Sequence, residues 1–249
     1  MTSAFFIQLR RELGAIYNSP MAYVIFFCFS LIVGTIFYTN FQGLELNPRA
    51  TALNMFFSNW WYWICMFVMI PLITMRVFSE EYKTGTIELL LTAPLSDWDV
   101  VLSKFFASLT FYLMLWTPVL VYLGLFQWVT DSQIPFKLEE TMLCCLIVIL
   151  IGSFFVSIGV FTSSLTRNQV LAAFLSFCTV LSVFLLGLLT ARTPDSKFTP
   201  AVEYLSSVQH VYYYLNGIFD SRPIVFYLSG TALFLALTQQ VMAANKLKS

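Results

Sequence analysis

The sequence predicts an all-α membrane protein, and three observations carry that reading. Apolar residues fill 59% of the 249 positions and charged residues 10%, against roughly 45–50% and about 25% in soluble domains. Mean hydropathy is +0.79. The apolar residues gather into runs long enough to cross a bilayer, which takes about 20 residues. A soluble fold of this length could not hide so much apolar surface. The composition excludes a soluble enzyme, a disordered chain and a nucleic-acid binder with a basic patch. Thirteen Lys and Arg balance thirteen Asp and Glu, so charge informs only through its placement.

The elements follow in order as one membrane unit over residues 1–249. Residues 3–17 precede the first span. At 100° per residue, Phe5, Phe6, Leu9, Leu13, Ile16 and Tyr17 fall on one arc, with Gln8, Arg11 and Glu12 on the far side and Ile7 misplaced. That pattern predicts an amphipathic helix lying in the membrane interface. Pro20 then allows a turn into the bilayer. The six spans are 21–38, 55–75, 105–125, 142–165, 170–189 and 224–244. No cleavable signal peptide is expected, because the first apolar run begins at Met21 and lacks a small-residue cleavage site.

Orientation is read from basic residues in the connections. Arg10, Arg11, Arg76, Lys83, Lys104, Arg167, Lys246 and Lys248 fall on one side, and Arg49, Lys137, Arg192, Lys197 and Arg222 on the other. The bias places both termini in the cytoplasm. Trp60, Trp61, Tyr62, Trp63 and Trp128 sit where an aromatic belt belongs, with Trp61 and Trp63 allowed a deeper position.

The connection between spans 2 and 3 is the most informative stretch. Span 2 is expected to run past the membrane as a helix carrying Glu80, Glu81 and Lys83, and to stop at Gly85. Thr86 is placed to cap a second short helix at 87–92, with Glu88 in its first turn. Pro94 ends that helix, and Ser96 with Asp99 resembles a capping box for span 3. The outcome is a helix–break–helix elbow over 79–95. Leu89, Leu90 and Leu91 cannot all face one way, so the elbow offers an apolar knob to a cytosolic partner.

The run Glu80-Glu81-x-x-x-Gly85-Thr86-x-Glu88-x-Leu90-Leu91-x-x-Pro94-x-Ser96, preceded by Pro71-Leu72-Ile73-Thr74-Met75-Arg76, resembles the signature of type-2 permeases of ATP-binding cassette transporters. The closest flavour is the gliding-motility-associated subfamily. The resemblance covers essentially the whole chain. It implies a permease, an exporter by expectation, that pairs with an identical or distinct second permease protomer and a dimer of cytosolic ATP-binding subunits in a bacterial inner membrane. The elbow would be the coupling helix. Glu80, Glu81, Gly85, Thr86, Glu88, Leu90 and Pro94 carry over as coupling positions, joined by Leu89 and Leu91 as exposed leucines. Arg76 carries over less directly. ATP and its magnesium would be held by the partner, not by this chain. Membrane lipid is the other expected partner, and nucleic acid is not one.

What the chain lacks fits this role. None of its glycines is followed by Lys, so no Walker A loop exists to cradle phosphates. Between their ends, spans 1, 3, 5 and 6 hold no ionisable residue of the kind an ion-coupled carrier needs. The five cysteines show no metal spacing, and no hydrolytic motif occurs. Two alternatives stand beside the permease: a membrane anchor of an ATPase-powered motility or envelope-assembly complex, and an ion-coupled carrier.

Residues 190–223 connect spans 5 and 6. Their part 200–220 is aromatic and amphipathic, which predicts outer or re-entrant helices or an interfacial belt. His210, the one histidine, lacks a carboxylate at helical spacing and is read as a surface or hydrogen-bonding residue. Small residues recur four apart at Ser153/Ser157, Gly159/Ser163 and Ala172/Ser176, and predict close helix packing.

Overall fold

The structure is a computed structural model that describes residues 2–43, 52–57, 59–87, 96–129, 138–188 and 204–246. Among these, all regular secondary structure is helical: α1 (Thr2–Tyr17), α2 (Pro20–Gly43), α3 (Ala52–Phe57), α4 (Trp60–Thr74), α5 (Ser79–Thr84), α6 (Asp97–Leu115), α7 (Thr117–Val129), α8 (Leu138–Ser164), α9 (Gln169–Leu188), α10 (Ser207–Leu215) and α11 (Ser221–Lys246). Six segments are long and apolar enough to span a bilayer: α2, α4 with α5, α6 with α7, α8, α9 and α11. The all-α, six-span expectation is met.

The bundle is built around α8. Of its apolar window 78% is buried, against 22% for α11 and 28% for α9, so α8 faces protein nearly all round while α9 and α11 keep a broad face for lipid. Its small residues explain why neighbours approach so closely. A Cβ on Gly159 would lie 2.1 Å from Thr74 Oγ1, and one on Gly152 would lie 2.0 Å from the Tyr112 ring. Both positions therefore need glycine for space. In lipid, where apolar burial does not drive helices together, such close packing is a main source of attraction. Ser153, Ser157, Ser163, Ala172 and Ser176 are all buried, as packing faces should be.

Two spans differ from their sequence boundaries. Span 2 is preceded by a separate helix, α3. Asn59 caps α4 by accepting from the Trp61 amide at 3.0 Å, which starts a new helix there. Span 3 is two helices. Pro118 has no N–H for the Met114 carbonyl, and Thr117 Oγ1 donates to that carbonyl instead at 2.8 Å; the break at Trp116 follows. Trp60 and Trp61 are exposed while Tyr62 and Trp63 are buried. Trp63 thus packs inside the bundle and Trp61 does not.

One end of the bundle gathers both chain ends. Arg11 of α1 reaches Glu81 of α5, Asn245 of α11 reaches Tyr82 of α5, and Lys246 reaches Asp97 of α6. We call it the terminal face. The opposite face holds α3, α10 and the start of α4. Helix α10 begins with Ser206 accepting from the Gln209 amide, and buries His210, Val211 and Tyr214 against the bundle. His210 is hydrogen-bonded but not at the surface. Its Nδ1 lies 3.0 Å from the Tyr227 hydroxyl, itself 3.1 Å from Ser207 Oγ.

Candidate functional site

The elbow grows from the end of α4. The helix does not run on uninterrupted as its sequence suggests. It closes at Thr74, passes through a turn at Met75–Phe78, and resumes as α5. The cause is a hydroxyl on α8. Ser163 Oγ accepts from the amides of Phe78 and Ser79 at 3.1 and 3.2 Å and donates to the Met75 carbonyl at 3.1 Å. These groups would otherwise be orphans at two helix ends. Ser79 Oγ also donates to the Met75 carbonyl. The turn is thereby stitched to the central helix.

Helix α5 ends at Gly85 with φ +75°, the left-handed closure its sequence predicts. Glu80, Gly85 and Thr86 are exposed, and Thr86 Oγ1 shares a hydrogen bond of 2.9 Å with Thr84 Oγ1. Ile87 is buried. Glu88, Leu89, Leu90, Leu91 and Pro94, with the second short helix, lie outside the described residues. Ser96 caps α6 as expected, accepting from the Asp99 amide at 3.1 Å.

Glu81 points inward, and its partner was not read from the sequence. Lys104, counted there as a loop charge, lies two turns inside α6 with its side chain 1% exposed. Its ammonium makes three bonds, one for each proton: Glu81 Oε1 at 2.8 Å, Glu12 Oε2 at 3.1 Å and the Val77 carbonyl at 2.8 Å. It also lies 5.2 Å from the centre of the Phe78 ring. Arg11 adds contacts to Glu12 at 3.0 Å and Glu81 at 3.4 Å, and Gln8 donates to Glu12 at 2.8 Å.

This network sets the pose of α1. The face turned to the bundle includes Gln8 and Glu12 beside Phe5, Ile16 and Tyr17, while Phe6 and Ile7 are left exposed. The helix is rotated from the pose its apolar arc suggests, because a buried ammonium needs carboxylates more than Phe6 needs cover. Rings anchor both ends, Phe5 on Phe106 and Tyr17 on Phe111.

The site is thus a lever whose tip is exposed and whose root is locked. Glu81, Lys104, Glu12 and Ser163 tie α5 to α6, α1 and α8, and Tyr82 ties it to α11. Residues 9–248 match the ABC-2 family transporter proteins. The chain belongs to that family. It is therefore a multi-pass permease subunit of an ABC transporter. No curated protein matches the sequence.

Of the site residues expected from the sequence, Glu81 joins the clamped root, and Glu80, Gly85 and Thr86 lie on the exposed part of the elbow of this ABC-2 permease. Lys104, Glu12 and Ser163 were missed as members. The available signal was a lysine at the mouth of span 3 opposite two acidic residues, one on the interfacial helix and one in the elbow motif.

Proposed function

We propose that this permease couples a separate cytosolic ATP-binding dimer to export through the elbow at 79–95. A second permease protomer completes the pathway. Both termini lie in the cytoplasm of a bacterial inner membrane, and within the family the chain sits nearest the gliding-motility-associated branch. The observation that carries this reading is the three-way coordination of Lys104. It makes α5, α1 and α6 one body, so a push on the elbow moves spans and not just a loop.

The residues divide the work. Glu80, Gly85, Thr86, Glu88, Leu89, Leu90, Leu91 and Pro94 dock into the ATPase. Glu81 passes the load to Lys104, and the Ser163 bonds pass it to α8. Without a Walker A loop, the energy comes from the partner, whose bound ATP and magnesium supply the hydrolysis.

The decisive test is co-expression with an ATP-binding subunit drawn from the neighbouring reading frames. The permease is expected to co-purify with it. Replacing Glu88 by Ala, or deleting Leu89–Leu91, is expected to abolish ATP-dependent transport and leave membrane insertion intact. A cysteine at Thr86 is expected to react with an impermeant maleimide only after cells are opened. Labelling in intact cells, or transport by the chain with no ATPase, overturns the proposal.

A further inference from the structure

Helix α1 turns toward the bundle the carboxylate that Lys104 needs, and this leaves an unusual set of side chains on its outer face. Phe6 and Ile7 are 62% and 71% exposed, and Arg10 and Arg11 are exposed beside them. Phe6 with Arg10, and Ile7 with Arg11, stand four residues apart, so each pair shares one stretch of helix surface. Two apolar and two cationic side chains therefore form one patch. No acid balances it, because Glu12, the only acidic residue of α1, is engaged by Lys104. Among the described residues Arg10 takes part in no ion pair or hydrogen bond. Arg11 meets Glu12 and Glu81 through Nη2 alone and keeps its side chain 56% exposed, so the other donors of its fork are unspent.

The patch continues the surface that span 3 shows to lipid. Phe106, Thr110 and Leu113 are exposed in one stripe at helical spacing along α6. Phe6 packs on Phe5 at 5.4 Å between ring centres, and Phe5 on Phe106 at 6.3 Å, so the exposed rings of α1 and α6 join. The helix also lies across the span and not along it. Its ring contacts at Phe5 and Tyr17 are about 18 Å apart on α1, yet they meet α6 at Phe106 and Phe111, about 7.5 Å apart on that axis. A helix held across a span, apolar beside cationic on its free face, suits the boundary between acyl chains and phosphates.

We propose that the outer face of α1 docks on anionic phospholipid in the adjoining leaflet and selects it by charge. Phe6 and Ile7 enter the acyl region, and the guanidiniums of Arg10 and Arg11 take headgroup phosphates through charge-assisted hydrogen bonds. The choice of headgroup follows from the patch. A zwitterionic lipid brings its own cation to two arginines that have no outward acid to receive it. A phosphatidylglycerol brings the phosphate alone. An acidic protein surface answers the charges but not a Phe–Ile pair continuous with lipid-facing rings. The inference does not depend on the ATPase reading, since it concerns only the contact between α1 and the bilayer.

The test puts the photoreactive p-benzoylphenylalanine in place of Ile7 in the full chain. The protein is reconstituted alone into nanodiscs of equimolar dioleoyl phosphatidylglycerol and phosphatidylcholine, illuminated, and its lipid adducts are counted by mass spectrometry. Phosphatidylglycerol adducts are expected to outnumber phosphatidylcholine adducts about fivefold or more. The excess is expected to shrink as salt rises from about 0.05 to 0.5 M. The same probe in place of Phe27, exposed deeper in span 1, is expected to take the two lipids nearly equally. Arg10→Gln is expected to remove most of the excess at Ile7, Arg10→Lys to keep it, and Arg10→Glu to abolish it. Equal adducts of the two lipids at Ile7 overturn the charge selection. So does an excess unchanged in both Arg10→Gln and Arg10→Glu, with melting temperatures confirming that the variants are folded. Lipid adducts at Phe27 but none at Ile7 overturn the docking itself, and adducts of Ile7 to a co-expressed ATP-binding subunit in place of lipid give the surface to a protein.

Discussion

The two ends of this bundle are held by different forces. At the terminal face, ions and hydrogen bonds join helices far apart in the chain: Lys104 to Glu12, Phe78 to Ser163, Asn245 to Tyr82. At the opposite face the links are mostly rings. Phe56, Phe57, Tyr62, Trp63 and Trp116 pack edge-on, tilted or stacked at about 5–6.4 Å, and His210 packs against Tyr227. Ring pairs prefer offset-stacked or edge-to-face geometry; an ammonium with all three protons bonded ties three partners to one point. The end proposed to meet the ATPase is thus the one joined by directional bonds between distant helices.

The sharpest way to break this contrast is at Lys104. Lys104→Met leaves the half-buried Glu12 and Glu81 with only the exposed Arg11 as counter-charge, which is expected to cost about 3 kcal/mol. Melting in detergent measures it. Lys104→Met combined with Glu12→Gln and Glu81→Gln removes the uncompensated charge and is expected to recover much of that stability. Transport coupled to ATP is expected to stay low in the triple variant, because the direct tie between elbow and α1 is gone. If the triple variant transports normally, the clamp is structural only.

Much of this was legible in the sequence, for reasons tied to particular residues. Span existence follows from composition, and Gly85 and Ser96 announce a left-handed closure and a cap through local chemistry alone. What escaped was long-range. Lys104 looked like a loop charge, because nothing local tells a lysine at a helix mouth that Glu12, 92 positions away, will come to it. The break at Met75–Phe78 depends on Ser163, 85 positions from Phe78. The Trp116 break was carried by a local proline, but an apolar run on both sides of Pro118 hid it from a hydropathy reading.

The far face is expected to respond to pH. Burial pushes the His210 imidazole from its usual 6.5 down to about 4, with Asp220 pulling weakly the other way. The folded form therefore holds the ring neutral. The stability this brings is present above pH 6.5 and is lost as pH falls toward 4, where the unfolded chain binds a proton that the folded chain refuses. A loss on the order of 2 kcal/mol between pH 7 and pH 4.5 is expected. His210→Gln should flatten that part of the melting profile. A profile unchanged by this variant would mean the ring is not sequestered.

Packing at the centre supplies a matched pair of glycine tests. Gly159→Ala places a methyl against Thr74 at the root of the elbow, where the two helices must part. About 1–2 kcal/mol is expected from overpacking. Gly124→Ala in α7 meets nothing within 4 Å, and should be neutral or slightly stabilising through helix propensity. Equal melting temperatures for the two variants would contradict the close contact between α4 and α8.

A small effect on stability is expected at the elbow itself. Among the described residues nothing lies within 4 Å of a Cβ at Gly85, whose φ is +75°, so an alanine there costs chiefly backbone strain, roughly 1 kcal/mol. That cost falls on the local closure of α5, because no packed neighbour shares it. Gly85→Ala should therefore barely move the melting temperature while redirecting the chain that leaves α5 toward Thr86. If the elbow transmits force, ATP-dependent transport falls far more than stability does. Gly85→Asn, which tolerates the left-handed region better, should restore it. If transport instead falls only in proportion to stability, the direction of the chain at Gly85 does not matter to coupling.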